Sequence, residues 1–150
     1  MTKVKTVMTP QVEVISPDIS VEQAAEAMSN MDVGILPVCD GNKLIGMLTD
    51  RDLVLRVLGR KKDPKVAKVG ETMTRDVTYC FDDQDIQEAA MLMVERRIRR
   101  LVVLNREKGL VGIVSLGDLV VHSGNTTLGG EVLEFVSQPS EPKQAAGSPS

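Results

Sequence analysis

Between residues 20 and 31 the segment SVEQAAEAMSNM sets Val21, Ala24, Ala25 and Met28 at the spacing i, i+3, i+4, i+7. That period is one face of an α-helix, and Ser20 with Gln23 has the pattern of a capping box at its start. DIQEAAMLMVERR (85–97) repeats the period with Ile86, Ala89, Ala90 and Met93, opened by Asp85 and Glu88. The small alanines predict helices lying close against a sheet. Short apolar runs follow each helix, ILPVC (35–39) and RLVVL (100–104), and predict strands. Polar turns, CDGNK and NREKG, lead to second strands at LIGMLT (44–49) and LVGIVS (110–115). Asp40-Gly41 between two apolar runs is a strong hairpin signal. A last helix is predicted through DRDLVLRVL to a stop at Gly59, and its counterpart runs through LGDLVVH to about Gly124.

The pattern is written twice. Met8 meets Met73, Thr9 meets Thr74, Val12 meets Val77 and Met28 meets Met93 at one constant offset. One extra residue near Gly109 shifts the register, after which Gly46, Asp52 and Leu53 meet Gly112, Asp118 and Leu119. Such self-similarity marks a tandem duplication, with copies at 7–58 and 72–123, each strand–helix–strand–strand–helix. A copy this short cannot bury both faces of its sheet and helices alone, so the halves are expected to pack on each other as an α+β fold. GRKKDPKVAKVGE (59–71) reads as a charged linker, 124–137 as a C-terminal extension, and the proline-rich QPSEPKQAAGSPS (138–150) as a disordered tail.

Composition narrows the class. Apolar residues make up 42% of the 150-residue chain, but Tyr79, Phe81 and Phe135 are its only aromatics. The core must come from Val, Leu, Ile, Met and Ala. A net charge of −3 argues against nucleic acid or an anionic membrane as the main partner. With no apolar run of membrane-spanning length and no signal-peptide core, the expectation is a cytoplasmic protein. Cys39 and Cys80 fit reduced, buried thiols there, with a redox switch as the alternative. Two thiols and the single histidine, His122, do not make a metal set.

The chemistry lies in GMLTDRDL (46–53) and GIVSLGDL (112–119), which share Gly-x-x-[Thr/Ser]-x-x-Asp-Leu. Packing alone would keep the apolar positions; it would not obviously keep a hydroxyl and a carboxylate. One reading is local: Thr49 or Ser115 caps the helix, and Asp52 or Asp118 suits its positive end. The other is a ligand site. Free N–H groups at a helix start seat phosphate, and an ionised carboxylate accepts hydrogen bonds from two ribose hydroxyls. Both readings stand on the residues alone. RRIRR (96–100) likewise reads either as a solvated basic edge at a helix end or as a phosphate clamp. No aromatic stacking partners stand beside it for nucleic acid.

The duplicated order, VMTP, GILPV and GMLTDRDL together resemble a cystathionine-β-synthase-type (CBS) domain pair, of the stand-alone bacterial kind, over residues 1–123. The resemblance implies two pseudo-symmetric units packed through their sheets, and two clefts for adenosine derivatives. Those are AMP, ADP or ATP, with S-adenosylmethionine as a further candidate and no obligatory cofactor. It implies a site A of Met47, Thr49, Arg51 and Asp52, with Val77, Thr78, Ile98, Arg99 and Arg100 from the second copy. Site B would hold Ile113, Ser115 and Asp118, with Val12, Val33, Gly34, Ile35 and Leu36. Arginine is expected in A alone, because Gly34, Ile35 and Gly117 replace Arg99, Arg100 and Arg51. Site A is therefore expected to take phosphate first. Val102 departs from the family pattern, where the first copy has Pro37.

Three functions compete. The leading one is a non-catalytic, energy-sensing regulatory module that acts through a protein partner or a change of assembly. The second is a structural or protein-interaction pair without nucleotide. An enzyme is disfavoured: there is no GxxxxGK[ST] loop, no nucleophile–base pair beside His122, and no enzyme domain in the sequence. Leu53, Val54, Leu55, Val57 and Leu58 lie around more than one helix face, so a homodimer through these helices is expected.

Overall fold

The computed structural model describes residues 2–123. The expected C-terminal extension and tail, with Phe135, lie outside the described residues. In chain order the elements are α1 (Val4–Val7), β1 (Thr9–Pro10), α2 (Val21–Met31), β2 (Ile35–Asp40), β3 (Lys43–Thr49) and α3 (Asp50–Asp52). A π-helical stretch (Leu53–Leu58) continues α3; then come α4 (Val69–Thr72), β4 (Tyr79–Phe81), α5 (Ile86–Arg96), β5 (Arg100–Leu104), β6 (Leu110–Ser115) and α6 (Leu116–Ser123).

The periodic helices form where their pattern places them. Ser20 and Gln23 make the full reciprocal capping box of α2. The second box is only half built. Asp85 accepts from the Gln87 amide, while the Glu88 carboxylate is taken by Gln84 Nε2 at 3.0 Å. Both helices end on a left-handed residue that is not glycine, Asp32 (φ 54°) and Arg97 (φ 56°), each bonding back into its last turn. The apolar face also departs in one place. Ala24, Ala89 and Ala90 are buried, but Ala25 faces solvent and Ala27 is partly buried instead.

The leading strand of each copy does not stay at home. β1 pairs with β6 of the second copy, Thr9 opposite Ile113, in a sheet ordered β1-β6-β5-β4. The mirror event occurs at Thr74, which exchanges backbone hydrogen bonds with Met47 on β3 (2.8 and 2.9 Å). Each copy thus lends the strand before its main sheet to the other. The short helices cross with them: Val4 and Val7 sit in the core of the second copy, and Val69 and Met73 in that of the first. The charged segment 59–71 therefore ends in buried Ala67 and Val69.

This crossing explains the repeated glycine. A Cβ on Gly46 would lie 2.6 Å from Met73 Sδ and 2.9 Å from the Thr74 carbonyl; on Gly112 it would lie 2.7 Å from Met8 Sδ and 2.8 Å from the Thr9 carbonyl. A third cluster, Met47, Val102 and Leu104 with Ile35, Leu44, Val77, Phe81 and Leu110, joins the two sheets. The core is aliphatic, as the composition requires.

The last helix of the first copy differs from the expected α-helix: after one turn it widens, and Gly59 N–H bonds to the Val54 carbonyl at 2.7 Å. Gly59 is right-handed there (φ −63°). From this wider turn Arg56 reaches the carbonyls of Thr72 and Met73 at 3.1 and 3.2 Å, closing the C-terminal end of α4.

Candidate functional site

The two hydroxyl–carboxylate motifs adopt the same local geometry. Thr49 Oγ1 accepts from the Asp52 amide and Asp52 Oδ2 accepts from the Thr49 amide, both at 3.0 Å. Ser115 and Asp118 repeat the exchange at 3.1 and 3.2 Å. The hydroxyl and carboxylate therefore do cap their helices.

They differ in what remains free. Asp52 is buried, accepts from Thr74 Oγ1 at 3.3 and 3.5 Å, and faces Arg56 Nε at 3.8 Å. Asp118 is only partly buried, and its carboxylate accepts from the Ser115 amide. Where the first copy has Arg56, the second has His122, whose Nδ1 lies 2.8 Å from the Asp118 carbonyl.

Two clefts flank the sheet interface. Cleft A, of about 170 Å³, brings together Met47, Thr49, Val77, Thr78, Ile98 and Arg100 of the expected site, and adds Thr74 and Asp76. Arg51, Asp52 and Arg99 do not line it; Arg51 and Arg99 are exposed, and Asp52 sits behind the Thr74 hydroxyl. Cleft B, of about 340 Å³, gathers Val12, Val33, Gly34, Ile35, Leu36 and Ile113, and adds Thr9, Gln11, Glu13 and Arg100. Ser115 and Asp118 do not line it.

One expectation is corrected here. Arg100 stands on the wall shared by both clefts, together with Ile35 and Ile113, so arginine is not confined to site A. The cause is register: β5 begins at Arg100 opposite Ser115, and both clefts reach this first residue of the strand. Thr9 and Thr74 escaped the sequence reading of the sites. The signal for them was present, since the two threonines align in the repeat; what it lacked was the chain crossing that carries each into a cleft.

The thiols lie apart from clefts A and B. Burial pushes the Cys39 thiol up, and burial followed by the neighbouring Asp82 carboxylate pushes Cys80 up to about 12. Both stay protonated at neutral pH, which suits buried packing rather than reactivity. Among the described residues, no three of His, Cys, Asp and Glu converge as a metal set.

The CBS domain profile matches this chain twice, over residues 4–59 and 67–124. The chain belongs to the CBS-domain family. The CBS domain-containing protein YhcV of Bacillus subtilis is 36% identical over 137 residues, covering 91% of this chain and 96% of that protein. A crystal structure of Hypoxic Response Protein I with two coordinated zinc ions is 37% identical, with TM-score 0.73 over 81% of this chain and 99% of that one. A crystal structure of CBSX2 in complex with AMP is 32% identical, with TM-score 0.71 over 82% and 96%. The α+β tandem CBS pair is thus confirmed. Among the described residues, no helix of this CBS pair is long and apolar enough to cross a membrane.

Proposed function

We propose that this CBS pair is a non-catalytic regulatory module that binds an adenosine nucleotide, AMP, ADP or ATP, in the clefts between its copies. The observation that carries the proposal is the pair of clefts built from crossed segments around one shared cation, Arg100. An apolar wall suits a base, and a guanidinium suits a phosphate. The AMP complex of the related CBSX2 supports the same ligand class.

Cleft B fills first in this proposal. Small-molecule sites hold roughly 300–1,000 Å³, a range that includes the 340 Å³ of cleft B but not the 170 Å³ of cleft A. Cleft A offers less room, and the Asp52 carboxylate beside it is already engaged by the Thr74 hydroxyl. Among the described residues, the Asp118 carboxylate accepts no such bond from a threonine hydroxyl. The resulting signal passes to a protein partner or through assembly. Exposed Val54, Leu55 and Leu58 offer an apolar patch on the π-helical stretch, which suits a homodimer. The competing reading, an interaction module without nucleotide, draws support from the capping role of both carboxylates.

Calorimetric titration of AMP and of adenosine into the wild type, Arg100→Ala and Asp118→Ala tests this. The expected result is tighter binding of AMP than adenosine, a preference that Arg100→Ala removes and that Asp118→Ala, outside the lining of cleft B, leaves in place. Equal affinity of the wild type for AMP and adenosine overturns the role of Arg100. No binding of either at millimolar concentration leaves the interaction module.

A further inference from the structure

Next to clefts A and B, sharing Asp76 and Val77 with A and Gln11 and Val12 with B, the pseudo-symmetry creates a second pair of grooves beside the two hairpin turns. One, of about 280 Å³, is lined by Lys43, Arg75, Asp76, Tyr79 and Lys108 over an apolar floor that includes Leu44 and Leu104. Its counterpart, of about 480 Å³, has Gln11 in place of Asp76, Val14 in place of Tyr79, Asn42 in place of Lys108 and Gly109 in place of Lys43. Among the described residues, the counterpart's lining holds no cation, and its only charged residue is Glu107. The same architecture thus provides an internal control, and only one groove is cationic.

We propose that the groove of Lys43, Arg75 and Lys108 is a binding site for a small ligand bearing two or more phosphate charges, separate from the adenosyl clefts. Three segments converge to build it. The antiparallel bridge between Lys43 and Gly109 holds Lys43 beside Lys108 across the junction of the two sheets. Arg75 is held from the third side by its bond to the Gly70 carbonyl at 3.1 Å. None of the three forms an ion pair with a carboxylate among the described residues, although Asp76 lines the same groove. Like charges gathered without a paired carboxylate repel, and in a chain of net charge −3 they stand out as a local positive field. A polyvalent anion answers all three at once, since each ammonium or guanidinium can donate a charge-assisted hydrogen bond to a different phosphate oxygen.

Lys108 can be replaced without straining its turn. Lys108 has φ 65°, the left-handed conformation that glycine adopts at little cost. Gln11, Asp32, Lys61 and Arg97 take the same conformation, and in the other hairpin turn it falls on Gly41 (φ 61°), one position before the counterpart of Lys108. A glycine at position 108 would hold the turn at less cost.

Inorganic tripolyphosphate tests the proposal, because it carries the charge without an adenosyl group. Titration at low and physiological salt compares wild type, Lys43→Gln with Lys108→Gly, Lys43→Arg, and Arg100→Ala. The expected result is saturable binding that weakens at least tenfold, about 1.4 kcal/mol, in the Lys43→Gln, Lys108→Gly variant. That variant should melt no lower than wild type, because glycine relieves the turn. Lys43→Arg should keep binding within about twofold, because the charge is retained. AMP binding should be unchanged in all lysine variants. Tripolyphosphate bound equally well by the doubly substituted protein, or not bound by wild type at millimolar concentration, overturns the site. Binding lost in Arg100→Ala instead assigns the anion to the adenosyl clefts and also overturns it. Because AMP is followed in parallel, failure here is distinguishable from failure of the nucleotide reading.

Discussion

Replacing Gly46 with alanine is the most direct probe of how the two copies hold each other. The added methyl group would lie 2.9 Å from the Thr74 carbonyl and 2.6 Å from Met73 Sδ. The methionine sulfur can swing aside, but the carbonyl belongs to backbone that is itself paired with Met47 through bonds of 2.8 and 2.9 Å. Either the crossing strand shifts, with both bonds weakened at about 0.5–1.5 kcal/mol each, or the core tolerates an overpacked methyl at about 1–3 kcal/mol. Both routes give a loss of about 2 kcal/mol. With a urea slope of about 1–3 kcal/mol per molar for a protein of this size, the midpoint should fall by about 1 M. Gly112→Ala should lose a similar amount, since its Cβ would lie 2.8 Å from the Thr9 carbonyl. Gly41→Ala is the control: φ is 61° and nothing lies within 4 Å, so only the cost of a left-handed alanine, about 1–2 kcal/mol, applies. Function should follow the geometry. Gly46→Ala displaces Thr74 and disturbs cleft A, whereas Gly112→Ala displaces Thr9 and disturbs cleft B. An unchanged urea midpoint in Gly46→Ala would refute the crossing as the reason for the repeated glycine.

Three further outcomes follow from the same geometry. Asp52→Ala should lower stability by about 1–2 kcal/mol, because it removes a helix cap and leaves the Thr49 amide and Thr74 hydroxyl without their partner, whereas Asp118→Ala should cost less; thermal or urea melts of the two variants check this. Leu55→Glu with Leu58→Glu should yield a monomer by light scattering with little change in melting, because both side chains are already exposed; a dimer that survives would place the contact elsewhere. The Cys80 thiol is raised above its ordinary value of 9.0 to about 12, so the stability it contributes is complete below pH 9 and is lost as pH climbs toward 12. Urea midpoints should therefore fall across that window, and Cys80→Ala should flatten the fall; an equally steep loss in the variant would assign it to other groups.

Much of this protein is determined by the sequence taken alone. The helical period of Val21, Ala24 and Met28, echoed by Ile86, Ala89 and Met93, marks the same element twice, as do the paired apolar runs on either side of each turn. These signals are local: a helix or strand buries one face whatever it packs against, so the face is written in neighbouring residues. The tandem CBS organisation follows, because the copies can be aligned without knowing where either lies. What the local pattern does not encode is which copy each segment packs on. Only the tertiary structure decided that Thr9 and Thr74 cross to the opposite sheets, that Val69 completes the first core and that Arg100 serves both clefts. Those contacts join residues far apart in the chain, and a strand of two residues or a single bridge carries too little periodicity to announce its partner. The glycine of each motif shows the boundary most clearly. The sequence shows that it is kept twice; the backbone of the other copy, passing within reach of the absent side chain, is the physical reason.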